Sequence, residues 1–405
     1  MSLDVYTFRH LQENEVDAVL NHLVLVFSSR PGGVPRGLFA DHFLNDADRD
    51  IEGVRVAVLR GNALEKDEIV GTVRVYRRTL NLGPYGNLSC GAIGDVGTSP
   101  VHSGKGIASR LMREAEEYMI DRGISVAVLH TGSAAKLYAK LGWCICPMRM
   151  CTLSFEVGEL KFGVEKWMRH ARPVNVKRLA DMRLMRLLHE KFAPVGSFVR
   201  SEAYWRDWVS ADPQDTRRKL VRHVLEASVD GKVVQAYLFL DMSTLAVEQV
   251  LTSGKADIPV VLTVREFFVG HVKGDNVSTV PPEQFVGIFG ALLLAGVNHI
   301  FDESILVDSV QLKATFPAIL MPEAAMDAVR DSDLFDWLAP QKRVFYEDFG
   351  WMWKVLRPFV LVSHEAKSII TSNEEFVQKL TKPISILSII SGPINPYGFL
   401  KTDDF

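Results

Sequence analysis

Apolar residues along this chain recur either every three to four positions or every second position, and the two patterns alternate. Ile107, Leu111, Ala115 and Met119 share one face of a predicted helix. Ile69–Arg77 (IVGTVRVYR), Ala92–Ser99 (AIGDVGTS) and Val126–Leu129 read as strands. Val233–Leu240 and Val261–Val269 read the same way in the second half. Glu283–His299 is apolar almost throughout. Its core, Phe285–Val297, is too short for a bilayer span, and Asn298 and His299 follow at once, so it predicts a buried core helix.

The order of these elements repeats. Val5–Phe27 and Trp167–Phe192 each begin β-like, pass a polar turn and continue as an amphipathic helix ending in Phe. The strand pair Ile69–Arg77 and Ala92–Ser99 has its counterpart in Val233–Leu240 and Val261–Val269, and an apolar helix follows each. The tail predicts strands near Ser304–Leu312, a helix near Pro322–Val329 and an aromatic segment Phe345–Trp353. We therefore expect an α/β (α+β) chain in three parts: a first unit at 1–156, a second at 157–301, and an extension at 302–405 that packs with the second or stands as a third subdomain.

Chemistry concentrates in Asp95–Met112, DVGTSPVHSGKGIASRLM. A strand, a Pro100 stop and a loop with Gly104 and Gly106 lead into the amphipathic helix. A glycine loop opening a helix leaves backbone N–H groups without carbonyl partners, and with the positive end of the helix dipole they suit a phosphate-sized anion. Two familiar loops are excluded. Gly104-Lys105-Gly106-Ile107 lacks the spacing and the Lys-Ser/Thr of a Walker loop, and Ser109 stands where a dinucleotide fingerprint needs its third glycine.

The segment resembles motif A of the GNAT acetyltransferases, Arg/Gln-x-x-Gly-x-Gly/Ala, with Ser103, Gly106 and Ala108 on the motif positions. Ser103 departs from the usual Arg or Gln. Downstream, Ala134–Trp143 (AAKLYAKLGW) resembles the motif that closes the same domain, with its tyrosine at Tyr138. The resemblance covers about the first 155 residues. It implies a GNAT fold with a mixed central sheet, and the repeat implies a second, degenerate GNAT-like unit without a Gly-x-Gly cradle in His271–Pro282. A tandem unit with an extension is the layout of the enhanced intracellular survival family of aminoglycoside and lysine acetyltransferases; the "YAKLGW" run is also similar to a fungal lysine acetyltransferase family.

That resemblance implies acetyl-CoA as cofactor. Val96, Gly97 and Thr98 would offer main-chain groups to the pantetheine arm, where the family's strand splays at a bulge. Ser103, Gly104, Lys105, Gly106, Ile107, Ala108 and Ser109 would surround the pyrophosphate. Ser133 matches a cofactor-contacting serine; the alternative is a helix N-cap. Tyr138 is the candidate general acid, since a phenol titrates above a thiol, and the alternative is a packing tyrosine. For the base there are two candidates: Asp95, which could equally be a structural aspartate, and the C-terminal carboxylate of Phe405. His130, at a strand end, is a candidate for the acceptor side, and His102 reads as a loop residue. Phe27, Phe39, Asp41, His42 and Phe43 are candidate lining or core residues, and Arg30–Gly33 is a candidate gating loop.

Composition narrows the partners. The chain has 405 residues, 47% hydrophobic and 23% charged, with 46 basic and 49 acidic residues and a net charge of −3. No Lys/Arg stripe forms, which argues against nucleic acid. Cys90, Cys144, Cys146 and Cys151 lack zinc-site spacing, so no metal is expected, and they read as reduced cysteines of a cytoplasmic protein. The start of the chain has early charges and no apolar signal-like core, so no membrane association is expected. The expected activity is acetyl transfer from acetyl-CoA to a primary amine of a small molecule such as free lysine, a polyamine or an aminoglycoside. The alternatives are a protein lysine or N-terminal acetyltransferase, and a non-catalytic acetyl-CoA sensor or scaffold. A homo-oligomer is expected by analogy with two-domain relatives.

Overall fold

A computed structural model of the chain describes residues 3–28, 34–61, 67–161, 163–210, 218–243, 259–301, 310–321, 323–329, 333–362 and 367–376. Its main strands form two mixed sheets built to one plan. In the first, β1 (Tyr6–His10), β2 (Val54–Leu59), β3 (Glu68–Asn81) and β4 (Asn87–Thr98) form an antiparallel meander, to which β5 (Val126–His130) adds parallel to β4. Two helices, α1 (Val16–Phe27) and α2 (Arg36–Leu44), separate β1 from β2, and α3 (Ile107–Asp121) makes the β4–β5 crossover that a parallel pair requires. The short α4 (Ala135–Lys140) follows β5 and leads to β6 (Cys144–Ile145).

The second half repeats this. After β7 (Met148–Glu156) come β8 (Ala171–Pro173), β9 (Arg218–Val229), β10 (Lys232–Ser243) and β11 (Val260–Lys273), again antiparallel neighbours, with β12 (Asn276–Ser278) on β11. The helix Pro282–Ile300 then crosses over, and β13 (Gln311–Pro317) adds parallel to β11. Trp167, expected in the opening strand of this half, lies instead in a short helix, Glu165–Met168, and the strand begins at Ala171. Of the strand expected near Ser304–Leu312, residues 304–309 lie outside the described residues; among the described residues of the tail the first strand is Gln311–Pro317, the helix near Pro322–Val329 is Glu323–Asp327, and Phe345–Trp353 spans parts of two strands, β14 (Arg343–Asp348) and β15 (Trp351–Val355).

The two sheets exchange strands. β7 leaves the first half and inserts between β13 and β14 in the second sheet; β15 leaves the tail and inserts between β5 and β6 in the first. The three units expected from sequence are thus interleaved: part of 1–156 builds the second sheet, and part of 302–405 builds the first. Both migrants carry the residues a central strand needs. β7 buries Met150, Cys151, Leu153 and Phe155, and β15 buries Trp351, Met352 and Trp353 in succession. Trp351 and Trp353 pack with Tyr76, Val126 and Val128 on one face of the first sheet. Met352 packs with Leu129 and Tyr138 on the other.

α3 covers that second face through Ile107, Leu111, Ala115 and Met119, the stripe read from sequence. It approaches closely because β3 has Gly71 beneath it: a Cβ there would lie 2.7 Å from Ile107 Cγ2. α1 and α2 cover β2 with Leu20, Leu23, Phe39 and Phe43. Among the described residues, Pro282–Ile300 is the one helix long and apolar enough to cross a membrane by length and composition. Val286, Phe289, Leu292, Leu293 and Val297 are buried in the core of the second half.

Both halves carry a bulge at the same place. On β4 the pairs Arg74↔Gly94 and Thr72↔Gly97 leave Asp95 and Val96 opposite Val73 alone, and Asp95 takes φ +52°. On β11 the pairs Leu240↔Val264 and Phe239↔Glu266 leave Arg265 as the extra residue. Each bulge begins two residues past the last parallel pair, Ile93↔Leu129 and Thr263↔Thr315.

Candidate active site

The loop before α3 forms a cradle. Ser103 N–H closes a turn on the Pro100 carbonyl at 3.2 Å. Gly104 and Gly106 then take φ +76° and +86°, values open to glycine at little cost. The first helical bond is Arg110 N–H to the Gly106 carbonyl at 3.0 Å. Among the described residues, no backbone carbonyl accepts from the N–H groups of Gly104, Lys105, Gly106, Ile107, Ala108 or Ser109. A Cβ built on Gly104 or Gly106 would meet nothing within 4 Å, so the row of donors faces open space. Ile107 turns its side chain into the core and fixes the row. Ser103 is exposed beside it. Lys105 does not extend toward the donors: its Nζ lies 3.3 Å from both Tyr6 Oη and His102 Nδ1, and Tyr6 Oη and His102 Nδ1 are 2.9 Å apart. His102, expected as a plain loop residue, is thus part of a polar cluster.

Next to the cradle the sheet opens. β4 and β5 are paired over Cys90–Ile93 and diverge beyond, while the bulge and Gly97–Thr98 stay bonded to β3. Val96, Gly97 and Thr98 therefore line one arm of a V. Gly97 is needed for packing from behind, since a Cβ would come within 3.0 Å of Val26 Cγ1 on α1. Thr98 Oγ1 is buried and, among the described residues, has no hydrogen-bond partner.

Asp95 points to the sheet face opposite α3. Tyr76 Oη donates to its Oδ2 at 2.9 Å, and Arg74 Nη1 lies 4.0 Å from the same oxygen. Behind it is a buried ionic network that the sequence reading missed. Asp46 takes Arg74 at 3.0 Å and Arg78 at 2.8 Å, with all three side chains at most 3% exposed. Arg74 lies over the rings of Tyr76 and Phe43 at 4.1 and 4.8 Å. Tyr76, wholly enclosed, has its phenol pushed well up, mainly by burial. The signal was present: Arg74, Tyr76 and Arg78 alternate with Val73 and Val75, the period of a strand whose polar side is also covered. The second half roofs this face. Arg78 lies 5.4 Å from the Tyr204 ring, and Trp208 packs at 5.2 Å from the His42 ring. Phe39 and Phe43 are core residues.

Tyr138 lies on the α3 side, packed 6.3 Å edge-to-face on Trp143. Burial pushes its phenol up to about 12. Among the described residues its hydroxyl makes no hydrogen bond. In the turn before α4, Thr131 Oγ1 accepts from Ala134 N–H at 2.9 Å and Ser133 N–H at 3.3 Å, and the helix itself starts from Ala134 without a side-chain cap. The N-cap position is Ala134 and not Ser133, which lies exposed at the mouth of α4. Lys354, from the exchanged β15, donates to the Leu141 carbonyl at the end of α4 at 2.5 Å. On the opposite sheet face, at the tip of β5, His130 Nε2 meets Asp348 Oδ2 at 3.3 Å. Phe405 and Arg30–Gly33 lie outside the described residues. All four cysteines are free.

Residues 7–146 match the family described as "Acetyltransferase (GNAT) domain". No curated protein matches the sequence. Among solved structures, the chain is similar to a GCN5-related N-acetyltransferase from Anabaena variabilis, with TM-score 0.56 and 14% identity over 93% of this chain and 89% of that one. It is also similar to a GCN5-related N-acetyltransferase from Kribbella flavida, with TM-score 0.54 and 16% identity over 92% and 86%. Eis1 from Mycobacterium abscessus aligns with TM-score 0.48 and 15% identity over 91% and 83%. Residues 7–146 thus match a GNAT acetyltransferase domain, and the chain shares its overall fold with these solved structures.

Proposed function

We propose that this protein transfers an acetyl group from acetyl-CoA to the primary amine of a small molecule. The observation that carries the reading is the row of unpaired N–H groups from Gly104 to Ser109, opening beside the V between β4 and β5. A diphosphate satisfies such a row, and the helix dipole adds to its affinity. With the thioester lying along Val96–Thr98, Tyr138 from the α3 side gives its proton to the departing sulfur, and the acceptor enters from the Asp95 face. Acetyl-CoA supplies the activated carbonyl; this chain supplies position and a proton donor. The roof of Tyr204 and Trp208 over that face favours a small amine over a peptide, which needs an open groove.

Calorimetry with acetyl-CoA and thiol release with L-lysine, spermidine and kanamycin test the reading. We expect micromolar-range binding and amine-dependent release. Tight binding with no release for any amine or peptide would favour a sensor; no binding would overturn the proposal.

A further inference from the structure

Resting on that reading, we infer that His130 is the base that deprotonates the acceptor amine, held in its working tautomer by Asp348, a residue 218 positions away in sequence. Three observations lead there. First, His130 and Asp95 flank the mouth of the V on the same sheet face. His130 follows Val126 and Val128 in alternation and its ring lies 4.9 Å from Trp351, which packs with Tyr76, the partner of Asp95. Second, Asp95 is already engaged: its Oδ2 accepts from Tyr76 Oη at 2.9 Å and lies 4.0 Å from Arg74 Nη1, so that oxygen is turned toward the network behind it. Third, the imidazole is held in place. Asp348 is fixed through Oδ1, which accepts Gly350 N–H at 2.9 Å, while Oδ2 faces His130 Nε2. Gly350 leaves room for the ring, since a Cβ there would come within 2.5 Å of Nε2. The Gly350 carbonyl in turn accepts Thr131 N–H at 2.9 Å.

An ionised carboxylate only accepts, so Nε2 carries the proton and Nδ1 keeps its lone pair. Among the described residues, the charged group bonded to His130 is Asp348 at the end of β14, the Trp351 ring packs against the imidazole, and Asp95, with Tyr76 and Arg74 behind it, lies across the V. His130 is 39% exposed, which leaves it accessible to a bound amine or one intervening water.

The protons balance. Nδ1 takes one proton from the ammonium, and the freed lone pair forms the C–N bond to the acetyl carbon. The C–S bond breaks with its electron pair on sulfur, which takes the Tyr138 proton. The second proton lost by the nitrogen as it becomes an amide restores Tyr138 through solvent, and His130 releases its own, for a net gain of one proton in solution.

The test is full-length protein carrying His130→Gln or Asp348→Asn, assayed with acetyl-CoA and the same three amines across pH 5.5–9. We expect His130→Gln to lower kcat/KM for the amine about 100-fold and to remove the acidic limb of the pH profile, with acetyl-CoA affinity unchanged. Asp348→Asn should lower kcat about 10-fold or more, because its oxygen is retained by Gly350 and its amide would face Nε2, favouring the wrong tautomer. Histidine 15N shifts should report an Nε2-protonated ring in the wild type and a changed tautomer in Asp348→Asn. If the wild type releases thiol and His130→Gln keeps its rate and pH profile, this inference alone is overturned. If the wild type releases none, the transferase reading and this one fail together.

Discussion

Lys354 on the exchanged strand β15 donates to both carboxylate oxygens of Glu116 on α3, at 2.9 and 2.8 Å. The same carboxylate accepts the indole N–H of Trp143 at 3.0 Å, and the same ammonium holds the Leu141 carbonyl. Trp143, held by its indole bond to Glu116, packs edge-to-face on Tyr138 at 6.3 Å. Lys354 and Glu116 are only 20% and 14% exposed, so the pair is better shielded than a surface bridge. We expect Lys354→Met to cost about 1–3 kcal/mol in urea unfolding. It should also lower kcat several-fold while leaving acetyl-CoA affinity intact, and Lys354→Arg should restore part of the loss. A kcat equal to wild type would separate the strand exchange from the chemistry.

Tyr138→Phe isolates the proposed proton donor. The hydroxyl has no partner among the described residues, so its removal should change stability by less than about 0.5 kcal/mol. Turnover should fall about 10- to 100-fold with acetyl-CoA affinity constant, as expected for an interaction used only in the transition state. With its phenol pushed up to about 12, Tyr138 keeps its proton throughout the usable range. Its contribution as an acid is lost only as pH rises through that value, so no alkaline limb below pH 10 should trace to it. Full activity of the phenylalanine variant would remove Tyr138 from the mechanism.

Much of the first half was readable because its signals are local. The glycine loop, the Ile107–Met119 stripe and the YAKLGW run each occupy a few contiguous residues with one period. Its limits lie where distant segments meet. Nothing in Trp351–Val355 says that its partner is Val126–His130, more than 220 residues earlier, rather than a neighbour in the tail. The pairing of His130 with Asp348 is hidden for the same reason. The Asp46–Arg74–Arg78 network was partly legible, since two arginines on one face of a strand imply a buried anion. The acid that answers them sits just past a helix end, with no periodic signal of its own.

Gly106→Asp tests the cradle. The positive φ strains any L side chain, and a carboxylate aimed at the donor row would repel a diphosphate. The backbone strain costs about 1–2 kcal/mol, too little to unfold the domain. We expect a folded protein in which acetyl-CoA binding is lost by calorimetry. Binding retained within threefold would place the diphosphate elsewhere.

Two buried histidines make stability depend on pH. Burial, and after it His299, lower His223 to about 4. Burial, and after it Arg200, lower His189 to about 3. Both are neutral in the folded chain and take up protons on unfolding, so the contribution is complete above about pH 6.5 and is lost as pH falls toward 4. At pH 5 each histidine should have cost roughly 2 kcal/mol relative to pH 7. Urea melts at the two pH values should show that loss, and His223→Gln should reduce it by about half. An unchanged difference would mean that His223 is solvated when folded.

The strand exchange implies that neither half stands alone. A fragment of residues 1–147 would keep the whole motif region yet lose β15, and with it Trp351 and Trp353 against Tyr76, Val126 and Val128, and Met352 against Tyr138. Removing three large apolar side chains forfeits on the order of 5–8 kcal/mol of burial, comparable with the whole stability of a typical domain. The edge of β5 would also be left unpaired, which invites aggregation. We therefore expect the fragment to be insoluble or molten when expressed by itself, and to become soluble and able to bind acetyl-CoA when co-expressed with residues 148–405. A fragment that melts cooperatively alone and binds acetyl-CoA would show that the first sheet closes without β15, and that Lys354 and Asp348 contribute from outside an already complete site.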